Sequence, residues 1–510
     1  MVDIVTDGSF DEVPVGGLVP GARAEVSFFP QFANQQFFAL IAPLLPTART
    51  ADNVAPVLAD GEFQFLAGDG SQARALFGAG SIGERMAKAC REANQAQPLL
   101  VIALADEETG VQATAQRTIT GTATSAGQIR LTVGRQAVVV GVDIGDDATA
   151  VATAIVAAVN AGDEDEASIP VSAANTAGQV DFTCRHKGEM GNEILIDLGA
   201  LPAGLAETPP VSLLMSGGAG NASHDGVIAA LEGEQPNYWI TPHTDDPNMD
   251  RWDTEMGARW GPLRQQYGLI FSARRGTLNE LITWSSARNS PYQSTIDAGD
   301  VVTPAYERAA LYGGILTAAL ANHPARALRT LRLVNDDAPP RDRERVYTDE
   351  QLLLSRGIST LLTLPDGGAA ISRGVTHYQK APSGDRDLSQ LDVTTLATVQ
   401  LIVQRFLFIV ENEFINKRLI LVNDDSPIAS SVPHVTPKKA QARMVAEYRN
   451  LVQGGYAEDI PGFERRILVS RSDGDVTRLN FYLPPDIANP LYQAGIKVEA
   501  FLQYPADLVQ

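Results

Sequence analysis

The stretch LLVIALA, residues 99 to 105, places seven apolar side chains in a row. A strand with one wet face alternates apolar and polar residues, so a strand without alternation has both faces covered. Covering both faces calls for helices above and below a mostly parallel sheet, joined by crossover connections. The flanking sequence supplies them. Ser81-Ile82-Gly83-Glu84 has capping-box spacing and opens a helix to about Gln95, before Pro98. Further on, NYWITPHT (237–244), GLIFSA (268–273) and LRTLRLV (328–334) read as strands. TLNELITWSSAR (277–288) reads as a helix between them, and another is expected with Thr303 as N-cap and Pro304 at N1. A capping box at Thr348-Asp349-Glu350-Gln351 predicts a further helix ended by Gly357. Residues 358–378 predict two strands joined at Pro365-Asp366-Gly367-Gly368.

This α/β pattern is interrupted. From about 107 to 207 Thr, Val, Ala and Gly dominate, and TITGTAT (118–124), QIRLTVG (128–134), QAVVVGVDIG (136–145), GQVDFTCRH (178–186) and EILIDL (193–198) read as strands. Asp147 caps a short helix with Val151, Ile155, Ala158 and Val159 on one face. The segment reads as a self-contained β-rich module inserted into a loop, and the α/β pattern is expected to resume with a strand in VSLLMSGGAG (211–220). The acidic run Asp163-Glu164-Asp165-Glu166 reads as a solvated loop, since it lacks calcium-loop glycine spacing. A composition shift at APSGDRD (381–387) marks a second boundary. Beyond it come a long apolar helix (391–420), a second helix (437–455), strands at 464–472 and 477–485, and a last strand, IKVEAFLQY (496–504). Ile496, Val498, Ala500, Leu502 and Tyr504 share one face of that strand. LVPGARAEVSFFP (18–30) reads as a turn followed by an extended segment carrying Ala22, Ala24, Val26 and Phe28. The expected organisation is an N-terminal arm (1–30), a discontinuous α/β core (31–106 and 208–385), the module (107–207) and a C-terminal α+β domain (386–510). Chain ends fray unless something ties them down, so two strand-like ends raise the question of their partners.

The 510 residues carry a net charge of −21, which argues against direct nucleic-acid binding. Gln400, Gln404 and Arg405 interrupt the long apolar helix, so it is expected in a core rather than in a membrane. The acidic N-terminus lacks a signal-peptide apolar region. Cys90 and Cys184 have no metal spacing and read as buried small side chains of a reduced, cytosolic protein. Four groups bear on chemistry. Gly217 to Ser223 resembles a phosphate loop but lacks the third glycine. The six histidines lie in no triad or metal motif; His243 with Asp245 and Asp246 reads as a polar loop. Trp239, Trp252, Trp260 and Trp284 are expected in cores or interfaces. Lys438, Lys439 and Arg443 begin a helix where cations oppose the dipole, which either a partner surface or solvation accounts for. No catalytic, cofactor or metal residue is assigned, and the balance favours assembly over catalysis.

VPGARAEV, FGAGSIGERMAKACREANQAQPLLVIAL (77–104), LLMSGGAG before a helix, and the C-terminal helix pair with its closing IKVEAFLQY strand occur here in an order that resembles contractile phage tail sheath proteins of the Mu-like type. The resemblance implies a subtilisin-like α/β core that is not a protease, an outward-facing insertion and a C-terminal sheath domain near the tube. It implies stacked hexameric rings around a tail tube, contraction that drives the tube through the host envelope for genome ejection, and no cofactor. Implied partners are copies of the chain within and between rings, the tail tube protein, and baseplate and tail terminator proteins, with no direct nucleic acid and no membrane insertion. Location in a virion, after assembly in the host cytoplasm, follows. In the family the terminal arms add strands to neighbouring subunits, which gives the two ends partners. The alternatives are an α/β nucleotide-binding enzyme using 217–223, a non-contractile shell protein, and the sheath of a contractile bacteriocin or secretion system.

Overall fold

The computed structural model describes residues 36–45, 57–66, 70–161, 169–210, 212–231, 233–429, 431–498 and 500. Its centre is a nine-stranded sheet. Ile358–Thr363, Gln293–Asp297, Leu269–Arg274, Tyr238–Ile240, Phe38–Leu44 and Leu99–Ala105 run parallel in that spatial order. Antiparallel strands close both sides: Phe63–Leu66 beside Leu99–Ala105, and Gly368–Arg373 followed by Leu331–Asp337 on the far edge. The unbroken apolar run is covered on both faces, as its lack of alternation requires. Leu99, Val101 and Ala103 join one cluster with Met86 and Cys90 of helix Ile82–Ala93 and with Ala309 and Leu316 of helix Ala305–Asn322. Leu100, Ile102 and Leu104 join another with Val227, Trp252 and Met256.

Local signals set most helix starts. Ser81 Oγ accepts the Glu84 N–H at 3.0 Å, and Glu84 reaches back to Gly80 N at 2.9 Å. Thr277 and Glu280 complete a reciprocal capping box. Two expected caps are not used. Helix Ala305–Asn322 takes Pro304 as its N-cap residue, because the Thr303 hydroxyl is drawn away to donate to Asp336 Oδ1 at 2.6 Å. Helix Tyr347–Ser355 follows Val346 with no side-chain cap; Thr348 already lies inside its first turn. Gly357, at φ +73°, follows the end of that helix, as expected.

The inserted module is two four-stranded antiparallel sheets and helix Ala148–Ala161. Asp147 caps that helix through Ala150 N, and Val151, Ile155 and Val159 are buried, while Ala158 is only partly so. The Asp163–Glu166 run lies outside the described residues. Leu213–Leu214 pairs with Leu195–Asp197 of the module, not with the central sheet, and Ser216 and Ala219 bridge to Thr114 and Val111. The reading that resumed the α/β sheet at 211–220 is corrected here: the apolar pair completes the module before the chain returns. Nor is the module self-contained, since its apolar interior is continuous with that of the core. Polar contacts stitch the joint. Glu307 Oε1 accepts from Arg85 Nε at 2.5 Å and its Oε2 lies 3.5 Å from Arg135 Nη1 of the module. Arg275 Nε donates to Glu193 at 2.6 Å. His186 Nε2 accepts the Ile82 N–H at 3.1 Å, so its proton sits on Nδ1, 2.9 Å from Asp106.

In the C-terminal domain, helix Val393–Ile409 continues into a π turn, Val410–Ile415, ending sooner than the expected residue 420. Val393–Ile415 is the one described helix long and apolar enough to cross a membrane, but 67% of its apolar window is buried in the protein. It packs with helix Pro437–Gln453 and the hairpin Leu468–Arg471 / Leu479–Tyr482 around Phe406, Met444, Tyr448 and Phe463.

Candidate functional site

The groups with chemical potential are mostly spent on structure. Gly217 and Gly220 have φ of +85° and +78°, as a tight loop needs. A phosphate loop offers free backbone N–H groups. Here Gly218 N donates to Asn192 Oδ1 at 2.8 Å, Ala219 N to Val111 O, and His224 N to Asn248 Oδ1. A Cβ on Gly218 would stand 2.4 Å from Gly188 O. The loop locks the module to the core, and two of its amides, Gly218 N and Ala219 N, are spent on that joint.

His224 and His243 form a buried pair rather than part of a triad. Trp252 Nε1 donates to His224 Nδ1 at 2.7 Å, which leaves the His224 Nε2 proton for His243 Nδ1 at 2.8 Å. Burial, and then His243, depress the His224 pKa well below its ordinary value; burial lowers His243 as well. Burial takes His377 down to about 3. Asp245 caps helix Asp246–Trp260 and Asp246 pairs with Arg288; the Asp245 charge acts on His243, but burial outweighs it. No group of three or more metal-ligating side chains occurs among the described residues. All four tryptophans are buried. Both cysteines are buried and free, their thiols pushed up by burial.

The cationic trio separates. Thr436 Oγ1 accepts Lys439 N, and Asp424 Oδ1 accepts Lys438 N at 2.9 Å, so a carboxylate offsets the cations at the helix start. Lys438 and Lys439 are exposed, the latter with Nζ 2.6 Å from His434 Nε2. Arg443 is instead bidentate to Glu413 at 2.7 and 2.8 Å, tying the two C-terminal helices together. Those bonds hold Glu413 below, and Arg443 above, their ordinary pKa values.

The C-terminal segment leaves the body. Asp486–Ile487 pairs with Ala457–Glu458, and Ala488 N donates to Tyr456 O. Tyr492 packs under Arg373, 4.5 Å from guanidinium carbon to ring centre, and its hydroxyl accepts Leu328 N at 3.3 Å. Residues 493–498 and Ala500 then belong to no strand of their own chain. Ile496 and Val498 are 85% and 81% exposed. Leu502 and Tyr504, and Ala22, Ala24, Val26 and Phe28 of the N-terminal arm, lie outside the described residues. The hairpin Leu468–Arg471 / Leu479–Tyr482 is a two-stranded sheet, so among the described residues both its long edges are open. Leu468, Val476 and Tyr482 stand exposed on it.

The sequence is 32% identical over 425 residues, 82% of this chain and 85% of the relative, to the Mu-like prophage FluMu tail sheath protein of Haemophilus influenzae. No family model matches. Among solved structures, the sheath tail protein from Desulfitobacterium hafniense covers 92% of this chain and 100% of its own at 12% identity and a TM-score of 0.46. The contracted helical sheath of the anti-feeding prophage covers 96% and 100% at 10% identity and 0.43. At such scores the structural likenesses carry no weight of their own; the sequence identity does.

Proposed function

The chain belongs to the Mu-like tail sheath proteins, and from that premise we propose that it polymerises as stacked hexameric rings around a tail tube and contracts to drive the tube through a host envelope. The observation that carries this reading is the 32% identity over 425 residues, 82% of the chain. The role is structural. Baseplate and terminator contacts at the ends of the sheath, and residence in a virion after assembly in the host cytoplasm, belong to the same reading.

Within it, Ile496 to Tyr504 is donated to a neighbouring subunit, and Ala22 to Phe28 serves as the other arm. The exposed Ile496 and Val498 and the open edges of the 468–482 hairpin support this, since an unpaired edge accepts a strand through main-chain hydrogen bonds. Each such bond is worth a net ~0.5–1.5 kcal/mol, so an arm of several bonds tethers a subunit while the bodies move. The exposed Lys438 and Lys439 are available to an acidic surface of the tube or a neighbour. Contraction draws on two packings of the same interfaces that differ in free energy, with no nucleotide hydrolysed.

Negative-stain microscopy of the purified protein tests the reading. Striated tubes, and wider, shorter sleeves after contraction in nucleotide-free buffer, are expected. Tubes of one diameter only, or contraction that requires ATP, would overturn it.

A further inference from the structure

On one face of the central sheet the helix layer stops before the sheet does. Opposed strand partners share a face, so Phe63 stands with Ile102 and Phe65 with Leu100. One strand further in, the same rows continue to Ile41 and Ala39. Those four inner residues are sealed by Val227 and Trp252 of helices Asp225–Ala230 and Asp246–Trp260. Phe63 and Phe65, on the outermost strand, stay 39% and 51% exposed. Together they leave open about the surface of one phenylalanine side chain, roughly 150–250 Å². The opposite edge of the sheet is guarded differently. Strand Leu331–Asp337 is broken by a register shift, holds Asn335 at φ +52°, and pairs Arg332 with Asp366 at 2.5 Å. Phe63-Gln64-Phe65-Leu66 carries no charge. An aromatic shelf of this kind marks a surface that something covers.

The first described residues of the chain stand at that shelf. Phe37, one residue before strand Phe38–Leu44, meets the Phe65 ring edge-on at 5.4 Å. The 35 residues that precede Gln36 therefore join the core here, and five of the chain's 17 phenylalanines fall between residues 28 and 38. We propose that the shelf seats the chain's own residues 29–35, with Phe29 and Phe32 laid against Phe63 and Phe65. Extended, the four residues from Phe32 to Gln36 span at most about 14 Å. Phe63 stands about 7 Å along the strand from Phe65, so the reach suffices. The other segments that adjoin the outermost strand offer no match. Residues 46–56 hold Val54 as their one large apolar side chain, and 67–69 are Ala-Gly-Asp. The docked stretch roots the N-terminal arm on the α/β core and leaves Ala22 to Phe28 for a neighbouring subunit. The packing lies within one chain, so monomers test it whether or not the chain assembles.

The test is a cysteine cross-link in the full-length chain. Ala33→Cys is combined with Phe63→Cys, which keeps Phe32, Phe37 and Phe65 in place, and dilute protein is treated with a short bismaleimide. The native Cys90 and Cys184 are buried and take no part. The control pairs Ala33→Cys with Val346→Cys, 59% exposed. Val346 follows Arg345, which binds Asp297 on a strand five places from the shelf, about 24 Å away at the strand spacing. The shelf pair should link within one chain at least about tenfold faster than the control, because docking raises the local concentration of one cysteine at the other. Adding Phe32→Ser to the shelf pair should bring the rate down toward the control. A rate equal to the control overturns the proposal, and so does a fast link that Phe32→Ser leaves unchanged. A band of linked dimers in place of the internal link assigns the shelf to a second copy and overturns it as well. If the Phe63→Cys chain does not fold, Gln64→Cys, exposed on the same strand, takes its place and the same outcomes decide.

Discussion

Replacing Glu307 with alanine tests whether the inserted module and the α/β core are one energetic unit. Glu307 is 2% exposed and sits between Arg85 of the core, at 2.5 Å and 5% exposed, and Arg135 of the module, at 3.5 Å and 18% exposed. Burial alone works against the Arg85 charge, yet Glu307 beside it holds the guanidinium above its ordinary pKa. Opposite charges about 4 Å apart attract by about 4 kcal/mol at an effective dielectric near 20. Removing one partner of a buried pair strands the other, at about 3–5 kcal/mol. Arg135 is longer-bonded and wetter, so its loss is expected to cost about 1 kcal/mol. Trp239, Trp252, Trp260 and Trp284 are all buried in the α/β core, so tryptophan fluorescence in a urea titration follows the core. Glu307→Ala should lower the core's unfolding free energy by about 3–5 kcal/mol, and Arg135→Ala, a change in the module, should move the same signal by about 1 kcal/mol. A Glu307→Ala shift below about 1 kcal/mol, or an Arg135→Ala change invisible to the tryptophans, would refute the joint and restore a self-contained module.

Acid should weaken the core before the carboxylates titrate. Burial holds His243 and His377 at about 4 and about 3, whereas unfolded histidines take protons below about pH 6.5. The unfolded state then binds more protons, so this stability is intact above pH 6.5 and declines as pH falls toward those values, by about 2 kcal/mol for each at pH 5; a melting temperature flat from pH 7 to 5 would count against it. Val498→Asp should leave the monomer's melting unchanged, since the side chain is 81% exposed, yet block sedimentable tubes through a desolvation cost of several kcal/mol in the assembled sheet. Lys497→Asp, on the opposite face, should assemble far better; equal behaviour of the two would contradict strand donation. Gly218→Val should destabilise the folded chain, because a Cβ there meets Gly188 O at 2.4 Å, and nucleotides should stabilise neither wild type nor variant against heat. A clear nucleotide-induced rise in melting temperature would revive the phosphate-loop reading.

Hydrophobic period and capping residues alone determined the parallel sheet covered on both faces, the helices at 82–93 and 278–286, the hairpin at 358–373 and the C-terminal helix pair. These are local patterns, each repeated within one element. Tertiary structure decided the rest. Gln293–Asp297 is a fully buried central strand made of Gln, Ser, Thr, Ile and Asp, and no periodicity announces it. Distant groups satisfy most of its polar side-chain atoms: Gln293 Nε2 donates to Met249 O, Ser294 to Val375 O, and Thr295 meets His377 and Ser272, while Gln293 Oε1 is left without a partner. Helix Asp246–Trp260 was foreshadowed by Asp245 and Pro247 in cap positions, a signal the reading as a polar loop passed over. Leu213–Leu214 looked like a return to the main sheet, but two apolar residues cannot say which sheet they complete. The candidate surface divides in the same way. Alternation gives 496–504 the side-chain period of a strand, but its described residues, 496–498 and 500, lie in no strand of their own chain. That Tyr492 meets Leu328 and Arg373, 164 and 119 residues away in the chain, could come only from the fold, because the closure of such long loops leaves no local trace.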